Sequence, residues 1–231
     1  MFESIKVRKG LIAHQKGDIA LAKSVYAELY NAGYIRVSYI LPWSILLLRE
    51  GGVDNCKKVK EILAKAQKAS DMDPQRKADL LMNFAVADFK LGNTEKALEL
   101  MERNHQSHPC GNTYGALGYM YVEAGKAEKA LEFNTSALEY DDEDPVIYDN
   151  LGQLYYRVLG DKEKAFEYFT KAHELKPGQI DTLWFLSRYD LENGDKEAAM
   201  DKLERMMEGR FSPLNYMTAS QVQEEIKRLQ A

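Results

Sequence analysis

The residues with the widest chemical reach lie in the stretch NHQSHPC, where His105, His108 and Cys110 fall close together. Imidazole and thiolate are ligands for soft divalent ions, but a closed site needs about four of them. No second ligand pair, such as C-x-x-C, stands elsewhere in the chain. The simpler reading is a helix end: histidines suit the negative end of the helix dipole, and Pro109 marks the turn. His14 and His173 stand alone, and Cys56 and Cys110 are too few for a disulfide framework. GYMYVEAGK (118–126) ends in Gly-Lys, yet its glycine spacing is wrong for a phosphate-binding loop and it follows a helical pattern. There is no G-x-S-x-G elbow and no H-E-x-x-H pair. These residues predict no catalytic group, no metal and no cofactor.

Composition narrows the classes further. Hydrophobic residues make up 45% and charged residues 29% of 231, a folded rather than disordered balance. The formal net charge of -5 disfavours nucleic acid, whose binders carry a basic surface. The most apolar run, YILPWSILLL (39–48), is too short to cross a bilayer, which takes about 20 apolar residues. The opening MFESIKVRKG lacks the apolar core of a signal peptide. The expectation is a cytoplasmic protein without a membrane span.

What positions these side chains is a repeat. Gly17, Gly51, Gly92, Gly125, Gly160 and Gly194 are separated by 34, 41, 33, 35 and 34 residues. All but Gly51 are followed five residues on by alanine: Ala22, Ala97, Ala130, Ala165 and Ala199. Pro42, Pro74, Pro109, Pro145, Pro177 and Pro213 keep nearly the same beat. Within a unit, Tyr114, Leu117, Gly118 and Tyr121, or Tyr148, Leu151, Gly152 and Tyr155, share one helical face. A turn glycine ends that helix, and Asp18, Asp161 and Asp195 are placed to cap the next. Gly118 and Gly152 sit mid-helix at a cost of about 0.5–1 kcal/mol, which implies a close helix approach. Pro42 predicts a bend or restart in its helix.

These residues resemble the tetratricopeptide repeat family. The fourth unit carries Tyr114, Leu117-Gly118, Tyr121, Gly125, Ala130 and Ala137, with Asn134 in place of an aromatic. The fifth carries Tyr148, Leu151-Gly152, Tyr155, Gly160, Ala165, Phe169, Ala172 and Pro177, with one extra residue in its turn. The second unit fits least, with Cys56 or Lys57 where alanine is expected. The resemblance implies an all-α fold: an α-solenoid (TPR superhelix) of about six antiparallel helix pairs plus a C-terminal capping helix. A single solenoid domain over 1–231 divides into repeats at 3–35, 36–76, 77–110, 111–144, 145–178 and 179–212. The capping helix falls at about 218–230, where Thr218 and Gln221 are spaced as a capping box and Val222, Ile226 and Leu229 form the apolar stripe.

In this family the first helix of each pair lines the concave side. A second stripe on these helices implies a partner-binding face of Met82, Asn83, Val86, Phe89, Asn112, Gly115, Tyr119, Asp149, Asn150, Gln153, Tyr156, Arg157, Trp184 and Arg188. Gly115 suggests a hollow there, walled by Phe89, Tyr119, Gln153 and Tyr156. The first two units are apolar on this stripe and read as buried. The function expected is non-catalytic: a protein-protein interaction module binding a peptide or helix segment of a partner in its concave groove. The alternative is an oligomerising scaffold or assembly factor that uses the apolar N-terminal repeats or a solenoid end, which leaves a homo-oligomer open.

Overall fold

The computed structural model describes residues 2–231. Among them the chain forms thirteen α-helices and no strand. The contacts divide the chain into two compact units, one ending at His108 and one running from Pro109 to Ala231. No helix of the described residues is long and apolar enough to cross a membrane.

The first unit holds three helix pairs: α1 (Phe2–Gln15) with α2 (Ile19–Asn31), α3 (Val37–Glu50) with α4 (Val53–Ala66), and α5 (Pro74–Lys90) with α6 (Thr94–Ser107). Local chemistry sets the boundaries. Gly17 turns with φ of 80°, and the Asp18 carboxylate then accepts the Leu21 N–H at the start of α2. Asp73 caps α5 through the Arg76 N–H, with Pro74 in the first helical position, where its missing donor costs nothing. Asp71 receives the Val37 and Ser38 amides, so the start of α3 is capped from the loop that precedes the next pair. Cys56 is buried in the small-residue position of α4, and burial raises its thiol pKa.

The restart expected as one outcome at Pro42 is absent. Helix α3 runs unbroken from Val37 to Glu50 with Pro42 inside. The ring stands close to the helix start, so only the Ser38 carbonyl loses its intrahelical donor. Nine of the fourteen residues of α3 are buried, and that burial outweighs the loss.

The second unit continues the pattern: α7 (Gly111–Glu123) with α8 (Ala127–Tyr140), α9 (from Pro145) with α10 (Lys162–Leu175), α11 (Ile180–Glu192) with α12 (Lys196–Glu208), and α13 (Ala219–Gln230). Asp161 and Asp195 cap α10 and α12 through the Lys164 and Ala198 amides. Thr218 and Gln221 close a reciprocal capping box at α13. Val222 and Leu229 of α13 complete a core with Ile180, Leu183, Leu203 and Met206, which covers the end of the unit.

The extra residue of the fifth repeat is not in the turn. It is absorbed as a π-helical turn over 154–159 that continues α9, and the Gly160 and Asp161 amides both donate to the Tyr155 carbonyl. The close approaches expected at the mid-helix glycines are present. A Cβ on Gly152 would stand 2.5 Å from the Phe169 ring, and one on Gly118 only 2.2 Å from Asn134 Oδ1. Gly115 lies in no hollow: a Cβ there would meet Val146 Cγ1 at 3.0 Å. The neighbouring helix α9 fills the space that the sequence suggested was empty.

These contacts rank two substitutions. Phe169 is buried and stacks on Phe185 with centroids 4.9 Å apart, so it cannot yield to a new methyl. Gly152→Ala is expected to lower the unfolding free energy by about 1–3 kcal/mol in urea melts, through overpacking. Gly115→Ala faces one movable valine methyl and gains helix propensity of about 0.5–1 kcal/mol, so its loss should be smaller. Equal midpoints for both variants would contradict this ranking.

Candidate functional site

The fourteen face residues divide by burial. In the first unit Asn83 and Val86 are buried, while Met82 and Phe89 are half-buried. Asn83 donates to Ser44 Oγ at 3.0 Å, tying α5 to α3. In the second unit Gly115, Tyr119, Asp149, Asn150 and Gln153 are buried, Tyr156, Arg157, Trp184 and Arg188 are half-buried, and Asn112 is exposed. Asn150 has its amide hydrogens engaged within the unit. Its Nδ2 donates to the Gly115 carbonyl and to Asn134 Oδ1, and Asn134 in turn donates to the Ala130 carbonyl. The asparagines therefore join helices of this chain.

Within the second unit, α7, α9 and α11 form one layer, and their shared face carries a polar network. Asp149 accepts from Thr182 Oγ1 at 2.5 Å and from Gln153 Nε2 at 2.8 Å. Gln153 accepts from Arg157, whose other amino group pairs with Glu123 of α7 at 2.7 Å. Asp149, Gln153 and Arg188 are costly to bury alone, which is why their sequence positions point toward a partner. The structure meets that cost by pairing them inside the unit. Arg188 stacks over Trp184 at 4.1 Å and forms an ion pair with Glu225 of α13. Hydrogen bonds from Arg228 and Arg188 pull the Glu225 carboxyl down to about 2.

The groups that sequence reasoning missed are Phe185, Asn215 and Tyr216, which meet at Asp181, an acidic residue of this face. Asp181 Oδ2 accepts from Asn215 Nδ2 and from the Tyr216 amide, each at 3.0 Å. The Tyr216 ring stacks on Phe185, centroids 5.2 Å apart, and the Arg157 guanidinium lies over it at 4.1 Å. The irregular segment between α12 and α13 thus folds onto the α9–α11 face. Its only sequence signal is Pro213 with Asn215, a turn composition that does not say where the turn packs.

Asp149 and Asp181 are both buried, and burial pushes both carboxyls above the usual range. The Asp181 charge adds to the rise at Asp149, while Asn215 and the Tyr216 amide oppose it at Asp181. Tyr119 is buried beside this acidic group, and its phenol is raised by burial and by Glu123, Asp181 and Asp149. Among the described residues no three His, Cys, Asp or Glu side chains gather as metal ligands.

The sign of the pH effect follows. A carboxyl raised on folding holds its proton in the folded state where the unfolded chain has already lost it. Stability from that group is full at low pH and falls as pH rises from the ordinary carboxyl range to the raised value. Asp149→Asn lacks this loss. Its unfolding free energy minus that of the wild type should therefore climb between pH 5 and pH 8 in urea titrations, whatever its offset at pH 5. His105 and His173 are common to both proteins and cancel. A difference that stays flat over this range would refute the buried-carboxyl assignment.

Comparison with known proteins bears on the fold. The family model described as tetratricopeptide repeat matches residues 146–179, the fifth helix pair. The human General transcription factor 3C polypeptide 3 is 28% identical over 128 residues, which is 55% of this chain and 14% of the human protein. The match thus spans about a seventh of that relative's length. Among solved structures, TTC0263, a thermophilic TPR protein of Thermus thermophilus, aligns over 99% of this chain and 98% of its own, with TM-score 0.58 and 17% identity. The MamA protein aligns over 77% of this chain and 93% of its own, with TM-score 0.56 and 21% identity. At these identities the structural likeness is one of fold. With the family model on the fifth pair and the fold shared along the chain, this all-helical protein carries a tetratricopeptide repeat at 146–179 and has the fold of solved tetratricopeptide repeat proteins.

Proposed function

We propose that this chain is a non-catalytic protein-interaction module of the cytoplasm, and that the α7–α9–α11 face of its second unit binds a segment of a protein partner. The observation that carries the reading is the state of the half-buried side chains there. Tyr156 is wedged among Phe169, Phe185 and Tyr189, with centroids 5.1–6.4 Å away. Arg157 and Arg188 are each fixed by an ion pair and a ring stack. Aromatic and arginine side chains held rigid at a surface lose little entropy on binding and are enriched among binding hot spots. The buried part of the expected face (Asn83, Val86, Gly115, Tyr119, Asp149, Asn150 and Gln153) then acts as framework, not as contact. Met82 and Phe89 are the corresponding half-buried positions of the first unit.

A second reading has one observation in its favour. Phe2, Ile5 and Ile12 of α1 and Leu21 of α2 are exposed, the first two by 67% and 64%. Such apolar side chains fit a scaffold that self-associates through this end. Light scattering over a wide concentration range tests it, and a constant monomer mass removes the homo-oligomer form.

The module reading is tested by photo-cross-linking in cells of the source organism. A benzophenone amino acid in place of Tyr156 should form partner adducts. The same group in place of Glu167, exposed on α10, should form few or none. Arg157→Glu should cut partner recovery at least tenfold. Equal adduct yields from both positions would place the contact elsewhere.

A further inference from the structure

The α9–α11 face of the second unit is already occupied by an irregular piece of polypeptide, a turn followed by bends, and that piece is the chain's own. Resting on the module reading above, we propose that this face is a docking site for an irregular, turn-forming segment in which an aromatic side chain follows a hydrogen-bonding one, and that Asn215–Tyr216 is its resident, displaceable occupant.

Three observations support this. First, the pocket is built without the occupant. Phe185 is fixed by its stack on Phe169, at 4.9 Å with an interplanar angle of 7°. Arg157 is held by Gln153 at 3.0 Å and by Glu123 at 2.7 Å. Removing Tyr216 would leave both walls standing. Second, the Asn215–Tyr216 part of the segment is only partly covered, while the flanking Phe211 and Met217 pack against the core at the end of the unit. Residues 209–217 have no helical structure, and their own hydrogen bonds are local, such as Asn215 N–H to the Ser212 carbonyl. Tyr216 remains 36% exposed while docked. Helix α13 keeps its separate anchors, Val222 and Leu229 in the core and Glu225 on Arg188. Third, the occupant leaves the site incomplete. Asp181 is buried, and although the Met217 amide is near enough to lower its pKa, its Oδ1 makes no hydrogen bond of normal geometry. A buried acceptor without a donor is costly, so a segment that brings one more N–H or hydroxyl to Oδ1 gains what Asn215–Tyr216 forgoes.

The same atoms define the partner's chemistry. The aromatic ring enters between the Phe185 face and the Arg157 guanidinium, where a flat π-system is favoured over an aliphatic chain. Its backbone N–H and the preceding side chain, an amide or hydroxyl, address the Asp181 carboxylate. Asp181 faces this position, and the Arg157 guanidinium over the ring is already paired with Glu123, so an acidic segment would be disfavoured. A partner of this kind competes with a tethered copy, and the tether acts as a threshold on binding.

The probe is a fluorescein-labelled, amide-capped peptide copying residues 211–218 (FSPLNYMT), titrated by anisotropy against the full chain. Tyr216→Ala vacates the pocket and should bind the peptide at least tenfold more tightly than the wild type, whose own segment competes at an effective concentration of about millimolar. Asn215→Ala, which keeps the ring and loses one bond to Asp181, should fall between them. A peptide with alanine at its tyrosine should lose at least tenfold. Circular dichroism checks that the variants fold; should Tyr216→Ala fail to, the order of Asn215→Ala against the wild type decides. Equal affinity of wild type and variants, or no binding by any of them, overturns the proposal. Should that happen while Tyr156 still yields partner adducts, the module reading survives and this specificity does not.

Discussion

Three helix pairs of this chain depend on one kind of contact, a side chain of the second helix lying over a glycine in the first. Tyr26 covers Gly10, Asn134 covers Gly118 and Phe169 covers Gly152, each so closely that a methyl group would collide. Beside these contacts Ala22, Ala97, Ala130, Ala165 and Ala199 are fully buried. A small residue on one helix lets the axes approach, and a large one on the other takes up the volume. The glycine's cost in helix propensity is offset by that contact.

The contact also explains what happens when a repeat gains a residue. In the fifth pair one extra residue lies between Tyr155 and Gly160. Placed in the turn, it would displace α10 along α9 and lift Phe169 off Gly152. The π-helical turn at 154–159 takes it up within the helix instead, on the far side of Gly152. The overlay is kept and the later part of the helix is rotated. Arg157 lies in that rotated part, where it meets Glu123, Gln153 and Tyr216. A local insertion has been converted into a charged group on the α7–α9–α11 face.

Much of this is legible in the sequence and some is not, and the division is physical. Turn glycines, aspartate caps, the Thr218 capping box and the small mid-helix residues act through neighbours within one helix pair, so period and spacing reveal them. Pro42 misleads because burial of α3 outweighs one lost hydrogen bond. Gly115 misleads because the space beside it is filled by Val146, in the next pair. Asn83 and Asn150 point to a partner because a stripe of amides looks alike whether it meets a peptide or the next helix. Tyr216 escapes notice because an irregular segment has no period from which its packing can be read.

The polar residues of the first-helix layers carry a different constraint in each unit. In the first unit Asp88 is buried between Lys60 and Asn93; burial raises its carboxyl, and those hydrogen bonds outweigh that and hold it low. That carboxylate is charged and matched. In the second unit Asp149 and Asp181 have no such lysine bonded to them, and each is held above its ordinary range. An array selected only for rigidity would gain by replacing such a pair with apolar residues of equal size. The pair stands where the face must accept N–H and O–H donors from Thr182, Gln153, Asn215 and the Tyr216 backbone. Its cost is that of keeping acceptors ready on a surface otherwise made of rings, and acceptors together with rings are what an irregular polypeptide segment requires of the surface that binds it.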